Sequence, residues 1–438
     1  MDKYKAYPEY KDSGVEWLGL VPKSWTICRL KNLATIKNGQ DYKSVQTDDG
    51  YPVMGSGGQF TFASEFMYDK PSVLLGRKGT IDKPLYINEP FWTVDTMYYT
   101  ELNKGVDAKY LYYLALTIQF SRYSTNTALP SMTQEHLNNY KFSVPKAESE
   151  RKKITDFLDH ETAKIDNLIE KQQQLIELLE EKRQAVISHA VTKGLNPDVP
   201  MKDSGVKWLG KVPEHWSIIK LKHLINSFEQ GWSPQCEARL AEKNEYGVLK
   251  VGCVNSGKFN SLEHKALPSN LEPQKQYLLK KNDLLISRAN TKELVGSSAV
   301  VDKNYDNLIL CDKLYRVKLI SSVNPFFISE YIRTPFVRKQ IELSASGASH
   351  SMQNIGQDTI KELFVALPPE NEVQLLIDFI EKEANVFNTL TDLSHQQVAL
   401  LQERRTALIS AAVTGKIDVR DWVVPDMQDA EEPQETTA

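Results

Sequence analysis

Two short stretches place a basic side chain directly after an apolar run. The first, SVLLGRKGT, holds Arg77 and Lys78 between Gly76 and Gly79, and the second, DLLISRANT, holds Arg288. A guanidinium group grips phosphate and can also donate two parallel hydrogen bonds to guanine O6 and N7. Neighbouring glycines let the backbone approach a partner closely. These turns are candidate contacts with a polyanion, although solvated hairpin tips would explain the same residues.

A small polar loop follows each basic turn farther along the chain. The loops STNTALPSMTQ (residues 124–134) and SASGASHSMQN (residues 344–354) each contain a Ser-Met pair. Their hydroxyl and amide groups suit contacts with phosphates or base edges, although many such loops are plain connectors. The sequence therefore predicts the following DNA-contacting residues: Arg77, Lys78, Gly79, Thr80, Thr125, Asn126, Ser131, Arg288, Asn290, Thr291, Lys292, Ser349, His350 and Ser351.

Motifs of known catalytic chemistry are missing from the sequence. It has no HExxH or GxSxG pattern, and GSGGQF (residues 55–60) lacks the Lys-Ser/Thr of a phosphate-binding loop, so it predicts a strand-turn. The NPFF stretch at Asn324 resembles a base-holding methyltransferase loop, but its alignment with Asp107 favours two helix N-caps. We expect no catalytic residue, no metal site and no cofactor bound by this chain.

Composition is typical of a soluble globular protein, with 41% hydrophobic and 25% charged residues among 438. The net charge is −4, but the last 13 residues hold five acids and no base, so the remainder sums to +1. Charge therefore neither supports nor excludes DNA. Four scattered cysteines indicate reduced thiols, and with no signal-peptide pattern or membrane-length apolar run we expect a cytoplasmic protein without a membrane partner.

The chain contains an internal repeat. Residues 11–33 and 202–224 share 15 identities in 23 ungapped positions, including Trp25 and Trp216. AVISHAVTKGL (residues 185–195) matches ALISAAVTGKI (residues 407–417) at an offset 31 residues larger than that of the first pair. Between these anchors the copies diverge, yet the two basic turns still align, and so do Asp95 and Asp312. The two copies therefore share their first and last segments and differ in the region between them.

Both copies continue into a long helix with an apolar heptad pattern. We predict that the two helices pair antiparallel as a coiled coil, because their polar interruptions fall at equivalent positions; two independent surface helices are the alternative. The residues predicted for helix pairing and partner docking are Ile154, Leu158, Ile165, Leu168, Leu175, Leu179, Val186, Leu376, Ile380, Phe387, Leu390, Leu401 and Leu408.

The predicted fold is a mixed α/β pseudo-twofold repeat of two similar globular domains joined by two long antiparallel coiled-coil helices. Globular domains are expected at residues 1–148 and 201–369. A central helix with its linker is expected at residues 149–200, a C-terminal helix at 370–420, and an acidic, disordered tail at 421–438.

This arrangement resembles the specificity subunit of type I restriction–modification enzymes. The resemblance covers the chain up to about Trp422. It depends on the repeated SGVxWLGxVPxxW opening, the paired LLGRKGT and LLISRANT segments, and the closing RQAVISHAVTKGL and RRTALISAAVTGKID. It departs from the family where VPKAESERKK and LPPENEVQLL lack a Glu-Gln pair often found at the helix start.

The resemblance implies a non-catalytic, target-recognising subunit of a host-defence system. Each domain would read one half of a bipartite double-stranded DNA sequence, and the helices would set the gap and dock two methyltransferase subunits. Two restriction (translocase) subunits would complete the complex, with S-adenosylmethionine, ATP and Mg on those partners. The alternatives are a structural or adhesive two-headed coiled-coil protein, and a stand-alone methyltransferase or nuclease, for which the motifs are missing.

Overall fold

The structure is a computed structural model that describes residues 4–123, 130–349 and 352–424. The chain divides into two compact units, one formed by residues 1–173 with 395–438 and the other by residues 174–394. The first unit is therefore discontinuous in sequence, whereas the second is one uninterrupted segment.

The first unit combines short strands with two short helices and the start of a long one. Its strands are β1 (Tyr10–Asp12), β2 (Leu20–Pro22), β3 (Thr26–Arg29), β4 (Ala34–Asn38), β5 (Gln46–Thr47), β6 (Tyr51–Gly55), β7 (Gly58–Ala63), β8 (Ser72–Gly76), β9 (Leu85–Ile87), β10 (Trp92–Thr93), β11 (Met97–Leu102) and β12 (Lys141–Val144). Its helices are α1 (Ala108–Ala115), α2 (Gln134–Asn139) and the first part of α3 (Glu148–Lys193), and residues 395–413, the last part of a second long helix, also belong to it.

The second unit repeats this plan with additional elements. Its strands are β13 (Met201–Asp203), β14 (Lys211–Pro213), β15 (Ser217–Lys220), β16 (Ile225–Gln230), β17 (Gly247–Leu249), β18 (His264–Ala266), β19 (Leu284–Ser287), β20 (Ala289–Asn290), β21 (Ser298–Val300), β22 (Leu308–Ile309), β23 (Leu314–Leu319), β24 (Ser346–Ser349), β25 (Met352–Asn354) and β26 (Phe364–Leu367). Its helices are the last part of α3 (residues 174–193), α4 (Pro325–Ile332), α5 (Pro335–Ser344), α6 (Gln357–Lys361) and the first part of α7 (Glu370–Val413).

The sheets of the two units have the same topology. The antiparallel order β4-β11-β8-β9 in the first unit recurs as β16-β23-β19-β21 in the second. The parallel pair β10-β6, extended by antiparallel β7, recurs as β22-β17 with β18. The hairpin β1-β2 and the pair β3-β12 recur as β13-β14 and β15-β26. The internal repeat is thus confirmed at the level of strand order.

A glycine at the end of β4 and of β16 is required by close packing of the backbone. A Cβ atom on Gly39 would lie 2.0 Å from the carbonyl oxygen of Val94, and one on Gly231 would lie 2.1 Å from that of Leu310. Real Cβ atoms do not approach this closely, so only glycine fits. Counted from these equivalent glycines to the aligned arginines, the second unit has 19 more residues than the first. Most of the extra length therefore enters before the basic turn.

The predicted pair of long antiparallel helices is confirmed within the first unit. Asp166 of α3 forms an ion pair with Arg405 of α7, with an Nε–Oδ1 distance of 2.8 Å. Lys153, nearer the start of α3, donates to the carbonyl oxygen of Arg420, beyond the end of α7. The two helices therefore run in opposite directions.

The buried seam of the helices departs from the predicted heptads. Seven predicted positions are buried and three are half-buried, but Leu168, Leu175 and Leu390 are 49%, 41% and 42% exposed. The half-buried residues are instead Ile169, Ile176 and Thr391, each one position later. A helix repeats every 3.6 residues, so a strict 3.5-residue pattern drifts away from the contact face. The three leucines lie outside the helix-pairing seam; their part in partner docking stays a prediction. The buried seam positions are Ile154, Leu158, Ile165, Leu376, Ile380, Phe387 and Leu408, and the half-buried ones are Leu179, Val186 and Leu401.

In the first unit the repeated opening segment forms hydrogen bonds with the start of α3 and with the residues just after α7. The buried indole of Trp25 donates to Glu150, in the first turn of α3, at 2.9 Å. Tyr10 donates through its hydroxyl to the carbonyl oxygen of Gly415, just after α7, at 3.0 Å. The segment therefore holds the beginning of one long helix and the end of the other.

The second unit repeats this fastening with the helices exchanged. The indole of Trp216 donates to Glu372, in the first turn of α7, at 3.0 Å. Lys193, the last residue of α3, donates to the carbonyl oxygen of Leu209 at 2.9 Å. The repeated opening segment thus makes the same tryptophan bond to one helix start in each unit, and in each unit it also contacts one helix end. In the described part of the chain, neither these nor the shorter helices contain a stretch apolar enough to cross a membrane.

Candidate nucleic-acid interface

The first basic turn follows β8 and is fixed by the main chain preceding β11. The amide of Arg77 donates to the carbonyl oxygen of Thr96 at 2.9 Å, and its Nη1 atom donates to that of Asp95 at 3.1 Å. Gly79 has a φ of +84°, in the left-handed region that favours glycine. The turn therefore has a defined shape, and it leaves the side chains of Lys78 and Thr80 exposed.

The chain returns to this turn after the polar loop. Met132 donates its amide to the carbonyl oxygen of Arg77 at 3.0 Å, and Ser131 forms a β-bridge with Lys78. The hydroxyl of Tyr98 donates to the carbonyl oxygen of Met132 at 3.2 Å. The Arg77 guanidinium carbon lies 6.0 Å from the centre of the Tyr98 ring, within reach of a cation–π contact.

In the second unit Arg288 makes the same set of contacts as Arg77, although the neighbouring segments differ. The amide of Arg288 donates to the carbonyl oxygen of Lys313 at 2.8 Å, and its Nη1 donates to that of Asp312 at 3.2 Å. The amide of Ile355 donates to the carbonyl oxygen of Arg288 at 3.0 Å, and the hydroxyl of Tyr315 donates to the carbonyl oxygen of Ile355 at 2.9 Å. The predicted alignment of the two arginines and two aspartates is confirmed.

The Ser-Met pair found in each polar loop does not mark equivalent positions in the two units. Ser131 lies opposite Lys78, and the residue in the same position of the second unit, opposite Ala289, is Asn354 rather than Ser351. The reason is the β24-β25 hairpin, which pairs with β20 and adds residues before the chain returns to the arginine. The residue of the second unit that is equivalent to Ser131 therefore lies three positions after Ser351.

The electrostatics of the two tyrosines favours the hydrogen bonds they form. Burial raises the pKa of Tyr98 above its usual value, against the opposing charge of Arg77. Burial likewise raises the pKa of Tyr315, against the charge of Arg288. Both phenols therefore stay protonated at neutral pH and act as donors to the returning main chain.

The other predicted contact residues lie around these turns. Asn290 donates through Nδ2 to Asn255 at 3.0 Å and accepts the amide hydrogen of Thr291 at 2.9 Å. Lys292 is exposed, whereas Arg77, Arg288, Asn290 and Thr291 are half-buried. The main chain of Ser349 ends β24. Thr125, Asn126, His350 and Ser351 lie outside the described residues.

Sequence reasoning missed the two tyrosines. Each follows its aligned aspartate by three residues, in FWTVDTMYY and LILCDKLYR, so the signal was present in the alignment. The GSGGQF segment was predicted correctly and forms the turn between β6 and β7. There Phe60 is exposed, with its ring 5.1 Å from that of Tyr42, beside an open concavity that Asp95 also lines. Among the described residues no cluster of three metal-ligating side chains occurs.

Comparison with known proteins defines the family. The model described as "Type I restriction modification DNA specificity domain" matches residues 22–179 and 213–400. The two matched regions are the two copies of the repeat, and together they cover most of the chain. The protein therefore belongs to the type I restriction–modification DNA specificity family, as the resemblance of its motifs predicted.

Individual relatives carry the corresponding name. The specificity subunit of type I restriction enzyme EcoEI from Escherichia coli is 32% identical over 161 residues, which span 36% of this chain and 27% of that subunit. The EcoKI specificity subunit from Escherichia coli strain K12 is 23% identical over 277 residues, 61% of this chain and 56% of that subunit. The aligned regions thus span about a quarter and about half of these two relatives. The EcoBI specificity subunit, also from Escherichia coli, is 21% identical over 437 residues, 93% of this chain and 90% of that subunit.

A solved structure shares the fold. A chain from work on complex assembly and conformational transition of the type I R-M system superposes with a TM-score of 0.66 at 14% identity, covering 91% of this chain and 99% of that one. At this identity the likeness concerns the fold alone. It agrees with the two similar α/β domains and long helices described above.

Proposed function

We propose that this protein is the sequence-specific DNA-binding subunit of a type I restriction–modification complex. Each unit reads one half of a bipartite target, and the long helices set the gap between the halves. The chain is not itself catalytic. Cytoplasmic DNA is its ligand.

The observation that carries this proposal is the combination of a repeated scaffold with unlike inserts. Strand order, the Trp–Glu clasps and the arginine turns recur in both units, whereas the second unit adds 19 residues before its turn and a further sheet after it. A target with two unlike halves requires two readers of different surface on a common frame. Arginine beside exposed lysine and threonine supplies donors for phosphates and base edges.

Partners follow from the same proposal. Two methyltransferase subunits dock on the helices, and two restriction subunits complete the complex. S-adenosylmethionine, ATP and Mg are bound by those partners. Apolar residues such as Leu168, Leu175 and Leu390 remain exposed on the long helices and suit contact with partner helices.

Genome-wide mapping of N6-methyladenine tests the function. Cells that carry this chain with its methyltransferase partner are compared with cells that lack only this chain. A split motif with two unlike halves and a fixed gap, present only in the first cells, is the expected result. If the maps are identical although the purified chains associate and the methyltransferase is active, the specificity role is refuted.

Single arginine variants assign each unit to its half-site. Arg77→Ala is expected to relax base preference in one half and Arg288→Ala in the other, with a loss of about 1–3 kcal/mol if the contact is bidentate to a base. Binding to variant targets over a range of salt concentrations separates the roles. An equal loss on all sequences with a shallower salt slope would identify a phosphate contact instead.

A further inference from the structure

The same contacts surround the arginine of each basic turn, although the neighbouring segments differ. In both units the arginine carbonyl accepts one amide from the returning chain, at 3.0 Å in each case. In both, a tyrosine hydroxyl donates to the carbonyl oxygen of that same returning residue. We call residues 130–133 and 352–356 the return segments. The arrangement recurs in both copies of the repeat although the neighbouring segments differ, which indicates that it has a common task.

The tyrosines cannot perform that task by touching a ligand. Tyr98 is 4% exposed and Tyr315 is 3% exposed. Their hydroxyls are directed to the carbonyl oxygens of Met132 and Ile355, which are themselves buried. Any effect of these hydroxyls on a bound partner must therefore pass through the position of the return segment.

The return segments carry polar side chains directly beside the basic turns. Ser131 and the exposed Thr133 flank Met132 in the first unit, and Asn354 precedes Ile355 in the second. The arginine and the return segment are linked by backbone hydrogen bonds, so their separation and orientation are fixed together.

We propose that Tyr98 and Tyr315 are positioning residues for DNA recognition, each holding the return segment against the arginine turn of its own unit. This arrangement presents arginine and return-segment side chains as one rigid surface, and its geometry determines which bases that unit accepts. The inference rests on the proposed function, since it concerns the same interface. It adds two buried residues that make no contact with DNA.

Removal of the hydroxyl alone tests the inference. Tyr98→Phe and Tyr315→Phe are made separately in the full chain, and each protein is used to select targets from a randomised duplex DNA library. A net hydrogen bond is worth about a factor of five in a local equilibrium. We therefore expect discrimination between preferred and disfavoured bases to fall roughly fivefold in one half-site, with the other half unchanged.

Two matched tyrosine variants serve as controls. In Tyr110→Phe the lost hydroxyl is buried and has no hydrogen-bond partner among the described residues. In Tyr331→Phe it donates to the carbonyl oxygen of Phe364 at 3.0 Å, so the same kind of bond is lost away from the turn. Both controls are expected to keep the base preference of the unaltered protein.

The outcomes separate the inference from the function it rests on. A half-site-specific loss of discrimination in Tyr98→Phe and Tyr315→Phe, not seen in the controls, supports positioning. A uniform fall in affinity with unchanged base preference, or the same change in Tyr331→Phe, overturns it, because the tyrosines would then only stabilise the fold. If the unaltered protein selects no sequence from the library, the proposed function fails and the inference fails with it.

Discussion

Replacing Arg316 with methionine tests how the second unit holds the segment that precedes β19. The Arg316 side chain is 3% exposed; it donates to Glu229 through Nε at 2.9 Å and to the carbonyl oxygens of Leu278 and Gln276 at 2.8 Å each. Its Nη1 lies 3.6 Å from the carboxylate of Asp283, also 3% exposed. The guanidinium therefore neutralises a buried acid and also anchors the segment that precedes β19.

The expected loss of stability follows from the interactions that Asp283 keeps and loses in Arg316→Met. Asp283 keeps a hydrogen bond from the amide of Lys280 at 2.9 Å but loses its neighbouring positive charge. Removing one partner of a buried ion pair costs about 3–5 kcal/mol, a large share of the roughly 5–15 kcal/mol that stabilises a domain. Arg316→Met is therefore expected to lower the free energy of unfolding of the second unit by about 3–5 kcal/mol.

The loss of unfolding free energy in Arg316→Met is expected to depend on pH. Burial raises the pKa of Asp283, and Arg316 opposes that rise. A carboxyl group whose pKa is raised on folding stabilises the fold below its unfolded pKa, and this contribution is lost as pH rises through the folded pKa. Without Arg316 the pKa of Asp283 rises further, so the destabilisation should be smaller near pH 4 than near pH 8.

Urea unfolding at the two pH values measures the effect, with hydrogen exchange of residues 274–287 reporting β19 and the segment before it. The double variant Arg316→Met/Asp283→Asn is the control, because it removes the buried charge while keeping an acceptor for Lys280. It should recover part of the lost stability at pH 8. Equal losses at both pH values, together with no recovery in the double variant, would refute the role assigned to the Arg316–Asp283 pair.

Three shorter predictions address the scaffold. Asn388 occupies the position in the second unit that Asp166 has in the first, and it lies near Arg183, whose Nε has no partner among the described residues. Asn388→Asp should raise the urea midpoint of unfolding by an amount equivalent to about 0.5–1 kcal/mol. Asp166→Asn should lower that midpoint. Trp216→Phe removes the indole bond to a carboxylate and should cost about 1.5–3 kcal/mol by thermal or urea unfolding. Gly231→Ala places a Cβ against a carbonyl oxygen and should lower stability measurably, whereas an unchanged melting temperature would show that the backbone yields there.

Local signals in the sequence predicted much of this architecture. Asp107 and Asn324 align in the repeat and both cap helices, accepting amide hydrogens from Tyr110 and Phe326 at 2.9 Å. Such caps depend on residues two or three positions away, so a single sequence reveals them. The same holds for the repeated turns after β8 and β19, because an apolar run followed by a basic turn is a local pattern.

Contacts between distant residues were harder to predict. The Trp25–Glu150 and Trp216–Glu372 bonds join residues 125 and 156 positions apart, and nothing local marks the two glutamates as partners. The equivalence of Ser131 and Asn354 could not be read from the sequence, because the β24-β25 hairpin adds residues only in the second unit. The heptad assignment failed at Leu390 because helical drift accumulates over many turns and shifts the contact face by one residue.

The discontinuity of the first unit has a consequence for synthesis of the chain. Its core includes Leu408, Ile409 and Val419, whereas the core of the second unit lies between Ile187 and Ile380. A ribosome adding residues in order therefore completes the second core before the first can close, although the first unit's strands are made earliest. The N-terminal strands, α1 and the start of α3 contribute most of that core, but its last residues are made only at the end of translation. A stop codon after residue 394 would thus remove seven buried residues from the first unit's core while removing none of its strands.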